Sequence, residues 1–174
     1  MTTSLILDIE TLSRRQHAII TEIGVLAFNR ADFVAFDEIL IRPGFYPQIE
    51  AGRHLCSETL QFHRKNKTLP MEVTDQDPAE SIQLLAAFIR KHNPENIWIQ
   101  GPDFDRPILE SFHQDFHAEL PWDYWRTRDS RTVWNLAFPG IKHDKRPHSA
   151  LGDCKATLQD LAKSLITLDR RQAA

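Results

Sequence analysis

Only two cysteines, Cys56 and Cys154, occur in 174 residues. They lie in unlike surroundings, which excludes a disulfide framework and a zinc knuckle. No apolar run approaches the roughly 20 residues that a bilayer span needs, and no secretory leader pattern opens the chain. No membrane partner is therefore expected, and the expected location is the cytoplasm. With 6 glycines, the chain has no Gly-rich phosphate loop and no Gly-x-Ser-x-Gly nucleophile elbow. Internal repeats, linkers and low-complexity tracts are also missing, so residues 1–174 are expected to form one domain.

A basic excess is absent as well: the formal net charge is −3, with 41% hydrophobic and 26% charged residues. Those fractions are ordinary for a globular protein. The negative balance does not exclude nucleic acid, because clustered carboxylates add charge that bound metals would offset. Basic residues are grouped locally: Arg14 with Arg15, Arg64-Lys65 with Lys67, Arg126 with Arg128 and Arg131, and Lys142 with Lys145-Arg146. Each group taken singly reads as solvated surface charge.

What is present begins with Leu5 to Leu12, a short apolar strand interrupted by two acids, Asp8 and Glu10. Alternation along a strand points both carboxylates the same way, opposite to Leu7 and Ile9. A hairpin edge with one wet face would explain them. The apolar character of the other residues favours a metal site, because neighbouring buried acids are costly unless neutralised.

Ile19–Phe28 reads as a second strand and Phe33–Ile41 as a third, joined by a turn at 29–32 into an antiparallel meander. Residues 47–53 read as loop, and 57–65 as a short helix. Asp77-Pro78-Ala79-Glu80 has the form of a capped helix start, with Asn93-Pro94 as its stop. Asn96–Gln100 reads as a strand and Phe104–Phe116 as a helix. The aromatic-basic segment 121–131 contains a possible edge strand, and 132–138 one or two helical turns. The last helix is expected from Ser149 to Leu168, with a frayed tail after it. This order predicts an α/β domain with a mixed sheet, three antiparallel strands plus parallel ones, flanked by helices.

Two further acids stand out by position. Asp105 shares a helix face with Ile108, Leu109 and Phe112, where a charge is anomalous unless something binds it. An N-cap role for Asp105 or Asp103 explains it equally well. Asp153 lies in the first turns of the last helix, and taken alone reads as a helix-dipole acid. His148 precedes that helix. Together, four carboxylates from different elements suit two Mg²⁺ or Mn²⁺ ions. A histidine with a pKa near ~6.5 suits proton removal from an attacking water at neutral pH. The set suits phosphodiester hydrolysis. A non-catalytic binding module would be expected to have a degraded acidic set, and a small-substrate phosphohydrolase fits the aromatic-basic segment 121–131 less well.

Asp8-Ile9-Glu10-Thr11, Gly101-Pro102-Asp103-Phe104-Asp105 and His148-Ser149-Ala150-Leu151-Gly152-Asp153 occur in this order. They resemble the three motifs of the histidine-bearing branch of the DEDD superfamily of 3′–5′ exonucleases. Trp98-x-x-Gly101-x-x-Phe104-Asp105 and Arg128-Asp129-x-Arg131-Thr132 are most similar to the group of phage DNA exonucleases, exonuclease VIII-like proteins and ribonuclease AS. The resemblance implies a ribonuclease-H-like fold, two ions on Asp8, Glu10, Asp105 and Asp153, and His148 as general base. It implies that Thr11 and Leu12 contact the terminal nucleotide of a single-stranded or overhanging 3′ end, that Arg128 and Asp129 lie near the active site, and that two copies can pair. Two departures are visible: Gly101 stands where relatives carry Asn, and Leu60-Gln61-Phe62-His63 replaces a Trp-bearing stretch. Phe62 or His63 is therefore expected to stack on a base, and Phe104 to line the substrate site.

Overall fold

A computed structural model describes residues 2–68, 74 and 76–172. Five strands form one sheet in the order β3-β2-β1-β4-β5: β1 (Thr3–Thr11), β2 (Ile20–Asn29), β3 (Ala35–Ile41), β4 (Asn96–Ile99) and β5 (Thr127–Asp129). β1 pairs antiparallel with β2, and β2 with β3. β4 runs parallel to β1, and β5 to β4. This is the mixed sheet expected, in the ribonuclease-H-like arrangement.

Residue alternation on β1 divides the core. Leu5, Leu7 and Ile9 enter a cluster with Ile82, Leu85 and Phe88 of α3 (Pro78–His92) and Ile108, Leu109 and Phe112 of α4 (Pro102–Asp115). Ile6 faces the other way, toward Cys154, Leu158 and Leu161 of α6 (Ala150–Gln172). Asp8 and Glu10 continue the Ile6 row, so they emerge on the α6 side. α6 seats closely there: a Cβ on Gly24 would lie 2.6 Å from the Ala150 carbonyl carbon, and only glycine admits the head of the helix at that point.

Several expectations shift. Residues 47–53 are not all loop, because α1 (Phe45–Glu50) forms around Gln48. The fully buried Gln48 amide accepts from Ile20 N–H at 2.9 Å and donates to the Ile20 and Gly44 carbonyls. A polar residue at a loop-like position thus serves the start of β2, which composition does not reveal. β3 begins two residues later than expected because Phe33 adopts a positive φ, in a turn braced by the Asp32 carboxylate on Val34 N–H. α2 (Ser57–Asn66) and α5 (Ser130–Ala137) fall close to the expected positions. Asp77 caps α3 through Ala79 N–H at 2.8 Å, as its sequence implies. α6 continues to Gln172 instead of fraying after Leu168, and residues 173–174 of the expected tail lie outside the described residues.

Candidate active site

Four elements bring the five motif residues to one place. Asp8 and Glu10 come from β1, paired with a strand on each side. Asp105 is the fourth residue of α4 and does not cap it: the cap is Gly101, with no side-chain bond. Its carboxylate instead accepts from Ile9 N–H at 3.1 Å, between the two β1 acids, and is 5% exposed. One hydrogen bond thus ties the second motif to the first. Asp153 sits in the first turn of α6, 7% exposed, with His148 in the loop before it. Ligand-capable atoms of Glu10, His148 and Asp153 lie within 4.8 Å of one another.

All four carboxyls are pushed up. Burial, then Asp105, Asp153 and Glu10, raise Asp8 well above the ordinary carboxylate range, while Arg146 opposes the shift. Burial, then Asp153 and Glu22, bring Glu10 to about 8. Burial brings Asp105 to about 7, against the Ile9 N–H and the Arg131 guanidinium. Asp153 is raised by burial, with His148 and Arg146 opposing. Asp153 Oδ1 is buried with no hydrogen-bond partner among the described residues. Crowded carboxylates and an orphaned buried oxygen are what a hard divalent cation relieves, so the residues present fit such an ion. Cys154 takes no part: its buried thiol donates to the Ile6 and Gly24 carbonyls.

His148 has φ +59°, and Phe62 of α2 packs edge-on against its ring at 5.1 Å between centroids. Gly152 makes room for this turn, since a Cβ there would lie 2.5 Å from Ser149 Oγ. Below the histidine, Asp160 of α6 takes Arg146 at 2.8 Å and His143 at 2.9 Å, pinning the incoming loop.

A cleft of about 390 Å³ opens beside Glu10, lined by Thr11, Arg14, Thr59, Phe62 and Phe104 among others. Phe62 and Phe104 are 43% and 37% exposed, so each leaves part of its ring open to the cleft. His63 does not. It is 3% exposed, and its ring nitrogens are taken by the Thr11 carbonyl at 2.8 Å and Thr68 Oγ1 at 2.9 Å. The stacking role expected for His63 is therefore replaced by a structural one, fixing the end of β1. Thr11 reaches the cleft, though its hydroxyl donates to the Ser13 carbonyl. Leu12 is buried in the core. Arg128 is not brought to the cluster either. It stands on β5 in the row of Ile6 and Trp98, short of the carboxylates. Its guanidinium turns back to the Trp125 and Thr127 carbonyls, in a separate cleft beside Thr2, Thr3 and Asn96. Its neighbour Asp129 does support the second motif, accepting from Gly101 N–H and Arg131 N–H at 3.0 Å each. Gly101 has φ +83°, and the Arg131 guanidinium occupies the space a Cβ would need, 2.6 Å away at its nearest nitrogen. A side chain at that position would have to displace the Arg131 guanidinium, which here reaches the Gln100 carbonyl.

A model of the 3′–5′ exoribonuclease Rv2179c-like domain matches residues 3–165. The chain belongs to this family. It is a 3′–5′ exonuclease domain, and its five-stranded sheet has the ribonuclease-H-like fold of exonuclease I. The structure of E. coli exonuclease I bound to a dT13 oligonucleotide superposes with a TM-score of 0.72 at 14% identity, over 99% of this chain and 42% of that one. The zinc-bound E. coli exonuclease I complex with single-stranded DNA gives 0.66 at 16% identity, over 98% and 42%. The domain thus spans about two fifths of those exonuclease I chains. No curated protein sequence matches it.

Sequence reasoning passed over Glu22. It sits opposite Glu10 in the β1–β2 register and is 8% exposed. Its carboxylate accepts from Ala150 N–H at 3.1 Å, the first residue of α6, and from Arg42 at 3.0 Å. An acid at a helix head stabilises it, and this one holds the helix that carries Asp153. Glu22→Ala is expected to weaken divalent-ion binding about tenfold, the lower range for lost support of a ligand. Isothermal titration with Mn²⁺ measures it, and unchanged affinity refutes the positioning role.

Proposed function

We propose that this domain removes nucleotides one at a time from the 3′ end of single-stranded or overhanging nucleic acid, releasing nucleoside 5′-monophosphates. The observation that carries the reading is the convergence of Glu10, His148 and Asp153 beside Asp8 and Asp105, with Asp153 Oδ1 buried and without a partner among the described residues. Asp8, Glu10, Asp105 and Asp153 would hold two Mg²⁺ or Mn²⁺ ions. When bound, such ions neutralise phosphate charge and make a water acidic enough to attack at neutral pH. His148, as in the histidine-bearing branch of the DEDD superfamily, takes the proton from the attacking water. Its imidazole is held for this by the Phe62 ring and by the loop that Asp160 anchors. Phe62 and Phe104 flank the terminal base, and stacking without base-edge contacts leaves the sequence of the strand open.

RNA is the substrate class that the family description supports, while the exonuclease I complexes were solved with single-stranded DNA. Matched RNA and DNA strands, labelled at either end and supplied with Mg²⁺ or Mn²⁺, test the reading. Shortening from the 3′ end with RNA degraded faster is expected. Loss from the 5′ end alone, or cutting with both ends blocked, would overturn it. Sedimentation equilibrium tests whether two copies pair.

A further inference from the structure

Beyond the cleft beside Glu10 lies a second groove, lined by Ser13, Arg14, Arg15, His54, Cys56 and Glu58 among others. The two share Arg14 and Glu58, so one runs into the other. Arg14 and Arg15 are both exposed, and neither makes an ion pair among the described residues.

The loop that presents them is fixed. Ser13 is 1% exposed; its hydroxyl meets His54 Nδ1 at 2.7 Å and accepts from Arg15 N–H at 3.1 Å. Main-chain bonds close both flanks: Ala18 N–H donates to the Arg15 carbonyl, Ile19 N–H to the His54 carbonyl, and Cys56 N–H to the Leu12 carbonyl. The acid of this lining, Glu58, is engaged mainly by its own N–H at the head of α2 and by the Cys56 and Ser57 side chains, with a smaller pull from the Arg14 guanidinium, and its carboxyl is held below the usual range. Two exposed guanidiniums on a braced loop outnumber the single acid of the groove, and in line with a cleft for a 3′ terminus they match a run of backbone phosphates in charge and position.

We propose that the Arg14–Arg15 groove carries the phosphate backbone of the nucleotides immediately 5′ of the one being removed. This rests on the exonuclease reading above, and it makes binding depend on strand length beyond the terminal two nucleotides. Two arms separate the two ideas. In the first, a 5′-fluorescent uridine octanucleotide is titrated in EDTA, where there is no turnover. Arg14→Ala/Arg15→Ala is expected to bind about tenfold more weakly, with the slope of log affinity against log salt reduced by about 1.4, roughly 0.7 for each phosphate no longer neutralised. The double Lys variant is expected to recover most of the slope. An unchanged slope in the Ala variant, or no recovery with Lys, overturns the proposal. In the second arm, KM is compared for a dinucleotide and the octanucleotide in Mn²⁺. The wild type is expected to favour the longer strand, and the Ala variant to lose that preference. A preference that survives overturns the groove. Absence of turnover by the wild type on either strand would instead sink the exonuclease reading and leave the first arm to decide the groove. Both side chains are solvent-exposed, so an unaltered melting temperature serves as the folding control.

Discussion

Asp105→Asn is expected to abolish strand degradation, with a loss of about 10³-fold or more in kcat, while the protein stays folded. The magnitude follows from removing a group that stabilises charge at a reaction centre, and from the non-additive losses seen when one member of a catalytic set is removed. The fold survives because the bond that locates Asp105 is to an oxygen: asparagine keeps an acceptor for Ile9 N–H, and its volume is nearly the same. The substitution also removes one of the mutually repelling carboxylates, so the ion-free variant is expected to melt higher than the wild type. Single-turnover cleavage of a labelled strand and thermal unfolding measure the two effects together. Activity within about tenfold of the wild type would remove Asp105 from the mechanism. A large fall in melting temperature would mean that its role is structural.

Divalent ions are expected to stabilise the wild type strongly. At an ion concentration one hundred times the dissociation constant, binding to the folded state alone contributes about 2.7 kcal/mol, or roughly 5–10 °C for a chain of this size. The effect depends on pH with a definite sign. Glu10 and Asp105 reach about 8 and 7 in the folded protein, against ordinary values of about 4.3 and 3.9. The folded state therefore holds more protons than the unfolded one between these limits. The stability this represents is complete below about pH 4 and is lost as the pH rises through 7 to 8. The ion-free protein is expected to melt lower at pH 8.5 than at pH 6, and Mn²⁺ to raise the melting temperature more at the higher pH. Differential scanning calorimetry at both values, in EDTA and in Mn²⁺, checks this. Equal melting with and without ions at pH 8.5 would contradict a cation site among these carboxylates.

The parts of this domain that a single sequence reveals are those governed by near neighbours. Alternation along Leu5–Thr11 gives the strand and the shared direction of Asp8 and Glu10, and Asp77-Pro78 gives the head of α3, because both are decided within a few residues. The five motif residues could be grouped from sequence because their spacing resembles a family. What holds them is less visible. The bond from Ala150 to Glu22 spans 128 positions and that from Ile9 to Asp105 spans 96, and no local pattern records either. Gln48 and Asp160 are hidden for the same reason: each is polar and buried, and its partner lies on another element. His63 and Arg128 mislead in the opposite way. Each is of a type suited to nucleic acid, but a helix face turns one into the Thr11 carbonyl and a three-residue edge strand carries the other out of reach.

The place of β1 at the centre of the sheet has a further consequence for motion. Ser4–Ile6 are laddered on both sides, and Asp8 and Glu10 follow them in unbroken pairing with β2, so this strand should open late and exchange hydrogen slowly. His148 sits outside any ladder, on a loop held by a few side chains. The site is thus built from a half held by strand pairing and a half held by side chains alone. Loss of the Asp160 ion pairs would therefore disturb His148 while leaving Asp8 and Glu10 in register with β2.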